Sequence, residues 1–111
     1  MKIPKTLNYE ELTNFFAGQY HNQWPEEYGT WENALSDVCR RSSIPWLKLI
    51  MNELTTLLAF KLDEATLKVI ITKECHANYH APADGHSYQE WLEKLRSKLA
   101  GFIKEATKFK S

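Results

Sequence analysis

The stretch PWLKLIMNELTTLL, residues 45–58, is nearly apolar all round. Proline is acceptable at the first position of a helix, and the large apolar side chains that follow it recur at helical spacing. They leave only a narrow polar stripe, formed by Lys48, Asn52, Thr55 and Thr56. A helix that is apolar on most sides belongs in the middle of a bundle. The stretch therefore predicts a central helix that other helices cover.

The segments on either side of this helix carry helix start signals. Asn8 followed by Glu11 predicts a capping box for a first helix, and Thr30 predicts the cap of a second. Asp63 predicts the cap of a fourth helix, after the central one. The run LKVIIT, residues 67–72, is rich in β-branched residues, but no second strand-like segment exists to pair with it. We therefore predict that this run is helical.

The strongest local signal comes near the C-terminus, where Ser87 and Glu90 form an S-x-x-E capping box. The apolar stripe that follows consists of Tyr88, Trp91, Leu92, Leu95, Leu99, Phe102, Ile103 and Ala106. These patterns predict an all-α fold, a single compact bundle of about five helices around the central apolar helix. Two long functional loops, around residues 20–25 and 75–87, would connect them, and residues 1–111 would form one domain.

The composition is that of a globular domain, since 43% of the 111 residues are hydrophobic and 25% are charged. No apolar stretch approaches the roughly 20 residues that cross a bilayer. The N-terminal sequence MKIPKTLNYEEL becomes polar before a signal-peptide core could form, so we expect a cytoplasmic protein. The two cysteines, Cys39 and Cys75, are too few for a disulfide framework, and we expect reduced thiols.

The charge is balanced overall but unevenly distributed along the chain. A formal net charge of zero argues against a general nucleic-acid binder, which carries a basic excess. The segment from Lys94 to the end is mostly basic, and its charges also suit the C-terminal end of a helix dipole. Between Thr6 and Cys39 the only charged side chains are acidic: Glu10, Glu11, Glu26, Glu27, Glu32 and Asp37. This acidic third fits attraction to a basic partner, although solvated helix faces explain the same pattern.

Cys75, His76, His80 and His86 offer possible metal ligands in one short segment. They lack the paired spacing of a structural zinc site, so we predict no metal and no cofactor. Cys75, His80 and Asp84 are also the residue types of a thiol nucleophile, its base and its orienting carboxylate. No P-loop, glycine-rich loop or nucleophile elbow accompanies them, and we predict that the chain is not an enzyme. A cysteine-dependent enzyme, which Cys75→Ala would inactivate, is an open alternative.

The side chains of the two loops indicate a binding function. Long loops in a small domain are usually functional or disordered, and aromatic side chains are typical of protein-binding surfaces. An alternative is that Trp24 and Tyr79 fold back and close the ends of the bundle. Taken together, the loops favour a binding module, with an α-helical adaptor or regulator as a further alternative. The side chains concerned are Trp24, Tyr28, Tyr79, His80 and Tyr88, interleaved with Glu26, Glu27 and Asp84.

Two stretches resemble the immunity proteins of contact-dependent growth inhibition (CDI) systems. Residues 19–35, QYHNQWPEEYGTWENAL, resemble a motif near the start of that family, in which a helix end rich in aromatic residues and histidine leads to a tryptophan and a new helix. Residues 78–99, NYHAPADGHSYQEWLEKLRSKL, resemble the family's ending, an Asp-Gly loop that runs into an S-Y-x-E-W-L helix. The resemblance extends from about Leu12 to Leu99. Gln23 stands where the family commonly has an aspartate.

The resemblance implies a small bacterial cytosolic protein that binds and neutralises the toxic C-terminal domain of its cognate toxin, often a nuclease. Binding would be one-to-one occlusion, with no nucleic acid, membrane, small-molecule substrate or cofactor involved. Carboxylates would pair with basic groups of the toxin, and aromatic side chains would anchor it. The candidate toxin-binding residues are Trp24, Glu26, Glu27, Tyr28, Tyr79, His80 and Asp84; Trp24, Trp91 and the Asp84-Gly85 turn are also candidates for a purely structural role.

Overall fold

Local side-chain caps set several helix boundaries in the computed structural model, which describes residues 7–108. Thr30 Oγ1 accepts a hydrogen bond from the N–H of Asn33, and Asp63 Oδ1 accepts one from the N–H of Thr66, so both predicted caps are confirmed. In chain order the helical elements are α1 Glu10–Gln19, α2 Trp24–Tyr28, α3 Trp31–Arg41, α4 Ile44–Ala59, α5 Glu64–Val69, a π-helical turn Ile70–Glu74, a 3-10 turn Ala81–Asp84 and α6 Tyr88–Lys108.

The predicted capping box closes the N-terminus of α6. The N–H of Glu90 donates to Ser87 Oγ at 3.1 Å, and the N–H of Ser87 donates to Glu90 Oε1 at 2.8 Å. The β-branched segment 67–72 is helical, as predicted. It continues into the π-helical turn, after which the N–H of Cys75 reaches the carbonyl of Ile70 at 2.8 Å.

The start of α1 matches the prediction only in part. Asn8 Oδ1 accepts a hydrogen bond from the N–H of Glu10, the first residue of α1, at 3.1 Å, so the predicted cap is present. Glu11 does not return a bond to Asn8, and the reciprocal capping box is therefore wrong. Glu11 instead accepts a hydrogen bond from the indole N–H of Trp46 at 2.9 Å. The N–H of Leu12 donates to the buried carboxylate of Glu53, in α4, at 3.0 Å. The first N–H groups of α1 are therefore satisfied both by a local side chain, Asn8, and by a side chain from another helix, Glu53.

The all-α class is confirmed, since the described residues contain six α-helices and no strand. α6 packs along α4, α1 also packs on α4, and α3 and α5 pack on α6. The predicted central helix covered on most sides is not confirmed, because α4 buries one face while Leu49 is 49% exposed. The loops are also shorter than predicted, since the first leads directly into α2 and the second contains a 3-10 turn. None of the described helices has the length and apolar character needed to span a bilayer.

A cluster of aromatic rings joins α6 to the rest of the bundle. Trp91 is completely buried and stacks on Tyr79, with ring centroids 4.1 Å apart. The rings of Phe16 and Tyr20 contact it from α1 and its C-terminal end, at 5.6 and 5.5 Å, and Trp31 contacts it from α3 at 6.3 Å. Such pairs add stability beyond their buried area. The cluster lies beneath both loops and holds them in place.

Candidate functional site

The two loops that the sequence singled out meet in the structure. The indole N–H of Trp24 donates to the carbonyl of Asn78 at 2.6 Å, and the N–H of Asn78 donates to the carbonyl of Tyr20 at 2.7 Å. The rings of Trp24 and Tyr79 also contact each other, with centroids 5.7 Å apart. Residues more than fifty positions apart in sequence thereby form one continuous surface, which we call the two-loop surface. It comprises residues 20–30 and 75–87.

The aromatic side chains form the floor of the two-loop surface. Trp24 is 7% exposed and Tyr79 is 5% exposed, so both rings have turned inward. Tyr88 is also buried, and its hydroxyl donates to the carbonyl of Tyr79 at 2.8 Å. Burial raises the pKa of the Tyr79 phenol well above its usual value, and the neighbouring Asp84 carboxylate adds to the shift. These rings hold the shape of the surface and expose little area to a partner.

The charged candidates lie on the outside of the same surface. Glu26 and Glu27 are exposed in the first turn of α2. Their negative charges there interact favourably with the positive end of the helix dipole. His80 and Asp84 are exposed on the second loop. Glu27 lies 3.7 Å from the imidazole of His21, which pairs with it when protonated. The structure therefore places three candidate carboxylates and one imidazole where a partner can reach them.

Tyr28 is half-buried and belongs to a network on α3. Its hydroxyl donates to the carboxylate of Asp37 at 2.9 Å, and the amide of Gln19 and the guanidinium of Arg41 donate to the same oxygen. The hydrogen bonds from Gln19 and Tyr28 hold the pKa of Asp37 below its usual value. Asp37 was counted in the acidic third of the sequence, but Arg40 and Arg41 lie within 4 Å of it. Its charge is therefore largely compensated within the chain.

A cleft of about 480 Å³ opens between the first loop, the second loop and α6. Asp84, Glu32, His86, Lys94 and Lys98 are among its lining residues. In the sequence, Glu32 and the lysines stand out only as charges, and His86 only as a possible metal ligand. The spacing of these residues is the one signal in the sequence that predicts their position. Lys94 lies seven positions, or two helical turns, after the cap residue Ser87, and it therefore lies on the same face of α6 as the second loop.

The segment considered for metal binding or catalysis does not converge on a reactive site. Cys75 is completely buried, and the Thr13 hydroxyl donates to its sulfur at 3.5 Å. Burial raises the pKa of the Cys75 thiol to about 11, whereas a nucleophilic cysteine requires a lowered pKa. His76 and His80 are exposed. Among residues 7–108, no group of three or more His, Cys, Asp or Glu side chains is arranged to hold a metal ion.

Comparison with known proteins agrees with this architecture. The model of the CdiI immunity protein family matches residues 8–99. A chain in the crystal structure of the CdiA-CT/CdiI complex from Y. kristensenii 33638 superposes with a TM-score of 0.77 at 19% sequence identity, covering 82% of this chain and 97% of that chain. No curated protein matches the sequence. Since the family model spans most of its length, the chain belongs to the CdiI immunity protein family.

Proposed function

We propose that this immunity protein neutralises its cognate CDI toxin by binding the toxin's C-terminal domain one-to-one through the two-loop surface. Family membership supports the toxin partner. The location of the binding site is supported by three exposed carboxylates, those of Glu26, Glu27 and Asp84. The contact between Trp24 and Asn78 brings them together on one surface. Inhibition is by occlusion, with no chemistry on this chain. The buried Cys75 thiol, protonated near neutral pH, supports the absence of a cysteine-dependent activity.

The toxin domain that fits this surface is a nuclease, and its binding cleft is basic. A nuclease must grip phosphate groups, so its cleft concentrates lysine and arginine side chains. The negative charge that complements such a cleft comes from two adjacent glutamates on α2 and from Asp84 on the second loop. Opposite charges raise the association rate, and this effect weakens with salt. Neither Glu26 nor Glu27 forms an ion pair with a lysine or arginine in residues 7–108, and both are therefore available to a partner.

We place this encounter in the cytoplasm, where an intracellular nuclease would act. Cys39 and Cys75 are both free and buried. Burial raises the pKa of each thiol to about 11, which keeps it protonated and slow to oxidise. Free thiols are the usual state of cysteine in a reducing compartment. An adaptor unrelated to toxins would share these features but would have no toxin domain encoded immediately upstream.

The test is a charge reversal on α2. Glu26→Lys combined with Glu27→Lys is expected to weaken binding to the cognate toxin domain by at least about a hundredfold at low salt, mostly by slowing association. The matched control is Glu93→Lys with Glu105→Lys, which makes the same charge change at exposed positions on α6. Titration calorimetry gives the affinity and stoichiometry, and circular dichroism checks the fold. Equal affinities for the folded wild-type protein and the α2 variant would refute the proposed site.

A second experiment tests the nuclease. Co-expression of this protein with its cognate toxin domain is expected to protect cells and to prevent nucleic-acid degradation in their lysates. Protection from a toxin domain that leaves both RNA and DNA intact would retain the immunity function but contradict the nuclease proposal.

A further inference from the structure

The helix that carries Glu26 and Glu27, α2, is too short to hold its own conformation. It has five residues, and helices shorter than about 12 residues are marginal in water unless other parts of the protein pack on them. Its N-cap residue, Gln23, makes no side-chain capping bond. Adjacent residues of a helix point about 100° apart, so the directions of the two carboxylates are defined only while α2 is formed. Contacts with the rest of the protein must therefore hold α2 in place.

Hydrogen bonds fix both ends of α2. At its N-terminal end, the indole N–H of Trp24 donates to the carbonyl of Asn78. At its C-terminal end, the Tyr28 hydroxyl donates to the Asp37 carboxylate at 2.9 Å, and the Tyr28 carbonyl accepts from the side-chain amide of Asn33 at 3.0 Å. Asp37 and Asn33 both belong to α3. The helix is therefore attached to the second loop at one end and to α3 at the other.

The Asp37 carboxylate is itself held by groups outside α2. The side-chain amide of Gln19, which is only 3% exposed, donates to the carbonyl of Ala34 at 2.6 Å and to Asp37 Oδ2 at 3.2 Å. The Arg41 guanidinium donates to Asp37 Oδ2 and to Gln19 Oε1, each at 2.9 Å. These donors come from α1 and α3, so they orient the carboxylate whether or not α2 is formed. The Tyr28 hydroxyl thus bonds to an acceptor that is already in position.

We infer that Asp37 and Tyr28 are positioning residues for toxin binding: through the Tyr28 hydroxyl, Asp37 holds α2 in the conformation that presents Glu26 and Glu27 to the toxin. The inference rests on the proposed function, since it requires those two glutamates to contact the toxin. It goes further by giving Asp37 a role in binding without a contact of its own, and by making the contribution of Tyr28 indirect. If the toxin binds only molecules in which α2 is formed, its apparent affinity falls in proportion to that fraction.

The first test uses the free protein and does not depend on the toxin. Tyr28→Phe removes the hydroxyl and keeps the ring. Two backbone hydrogen bonds report on α2, from the N–H of Glu27 to the carbonyl of Gln23 at 3.2 Å and from the N–H of Gly29 to the carbonyl of Pro25 at 2.9 Å. Amide exchange at these two N–H groups, measured by NMR, is expected to be about tenfold faster in the variant, because a hydrogen bond to a charged group is lost. Unchanged exchange at both would overturn the inference.

The second test is the affinity for the cognate toxin domain. Tyr28→Phe is expected to weaken binding about tenfold, and Asp37→Ala, which removes the acceptor, by at least as much. The matched control is Tyr9→Phe, since the Tyr9 hydroxyl also donates to an exposed carboxylate, that of Glu74 at 3.2 Å, outside the two-loop surface. This control is expected to bind as the wild type does, and urea unfolding checks that each variant is folded. Equal affinities for Tyr28→Phe and Tyr9→Phe would overturn the inference.

A double-mutant cycle separates positioning from direct contact. In a protein that already carries Glu26→Ala and Glu27→Ala, Tyr28→Phe is expected to change the affinity by less than about twofold, because no carboxylate is left to position. A tenfold loss in this background would show that Tyr28 contacts the toxin itself, which overturns the inference and leaves the proposed function standing. Wild-type affinity in the double alanine variant would refute the proposed site, and absence of binding by the wild type would refute the proposed function; the inference would fall with either.

Discussion

Glu64 is expected to stabilise the protein as a cap supplied from another helix. It lies at the start of α5, yet its two carboxylate oxygens accept hydrogen bonds from the first two N–H groups of α6, those of Tyr88 at 2.8 Å and Gln89 at 3.0 Å. Twenty-four residues separate Glu64 from Tyr88. The carboxylate therefore satisfies backbone donors at a helix N-terminus, compensates the positive end of the helix dipole and ties α5 to α6.

The size of the effect follows from what each substitution removes. Glu64→Ala deletes both hydrogen bonds and the charge, and we expect it to lower the free energy of unfolding by about 2 kcal/mol, the upper end for a lost cap. Glu64→Gln keeps one acceptor oxygen without the charge and is expected to cost about 1 kcal/mol. Both replacements are good helix formers, so propensity contributes little. Glu64 is exposed, which excludes the larger penalty of an unsatisfied buried charge.

Urea unfolding followed by circular dichroism gives these free energies directly. In thermal unfolding, about 2 kcal/mol corresponds to a decrease in Tm of roughly 8 °C for a chain of this length. The control is Glu93→Ala, an exposed glutamate in the body of α6. If Glu64→Ala destabilises the protein by no more than Glu93→Ala does, the carboxylate is not acting as a cap and the reasoning fails.

Three further outcomes are expected. Trp91→Ala should cost about 3–5 kcal/mol of unfolding free energy, and Trp91→Phe should cost clearly less because the buried indole N–H lacks a hydrogen-bond partner among residues 7–108; equal losses in urea would contradict this. Cys39 and Cys75, whose pKa burial raises to about 11, should react with Ellman's reagent at pH 8 about a hundredfold more slowly in the native protein than in denaturant; equal rates would show that the thiols are accessible. The backbone N–H of Ser87 lowers the pKa of Glu90 in the folded state, so its stabilisation should be present above about pH 4.5 and be lost as pH falls through the lower folded pKa. Glu90→Gln, which does not titrate, should therefore lose less stability than the wild type between about pH 4.5 and pH 2; parallel curves would exclude this contribution.

The helix caps show where prediction from sequence works. Thr30, Asp63 and the Ser87–Glu90 box were predicted correctly because each cap bonds a backbone group three residues away. Such a bond depends on its immediate neighbours and not on the rest of the fold. The same rule predicted a capping box at Asn8, and only half of it forms. Asn8 accepts a hydrogen bond from the N–H of Glu10, whereas Glu11 binds Trp46, thirty-five residues later.

The exposure of the candidate residues could be predicted only in part, and their role in binding stays a prediction. Helical periodicity breaks where the two loops lie, although the loops are shorter than predicted, and the exposure of Glu26 and Glu27 follows from a polar segment. The inward orientation of Trp24 follows from its bond to Asn78, fifty-four residues away. Whether an aromatic ring anchors a partner or fills a core depends on what the fold places beneath it, and a linear pattern does not contain that information.

The order of amino acids alone was enough to determine that the chain is all-α, where most of its helices begin, and which family its motifs resemble, because periodicity and capping act over a few residues. Only the tertiary structure decided that Glu53 and Glu64 cap distant helices, that two loops form one surface, and that His86 connects Lys94 to Tyr79. Those contacts depend on packing between helices. Packing selects among many pairings that are equally compatible with the same local pattern.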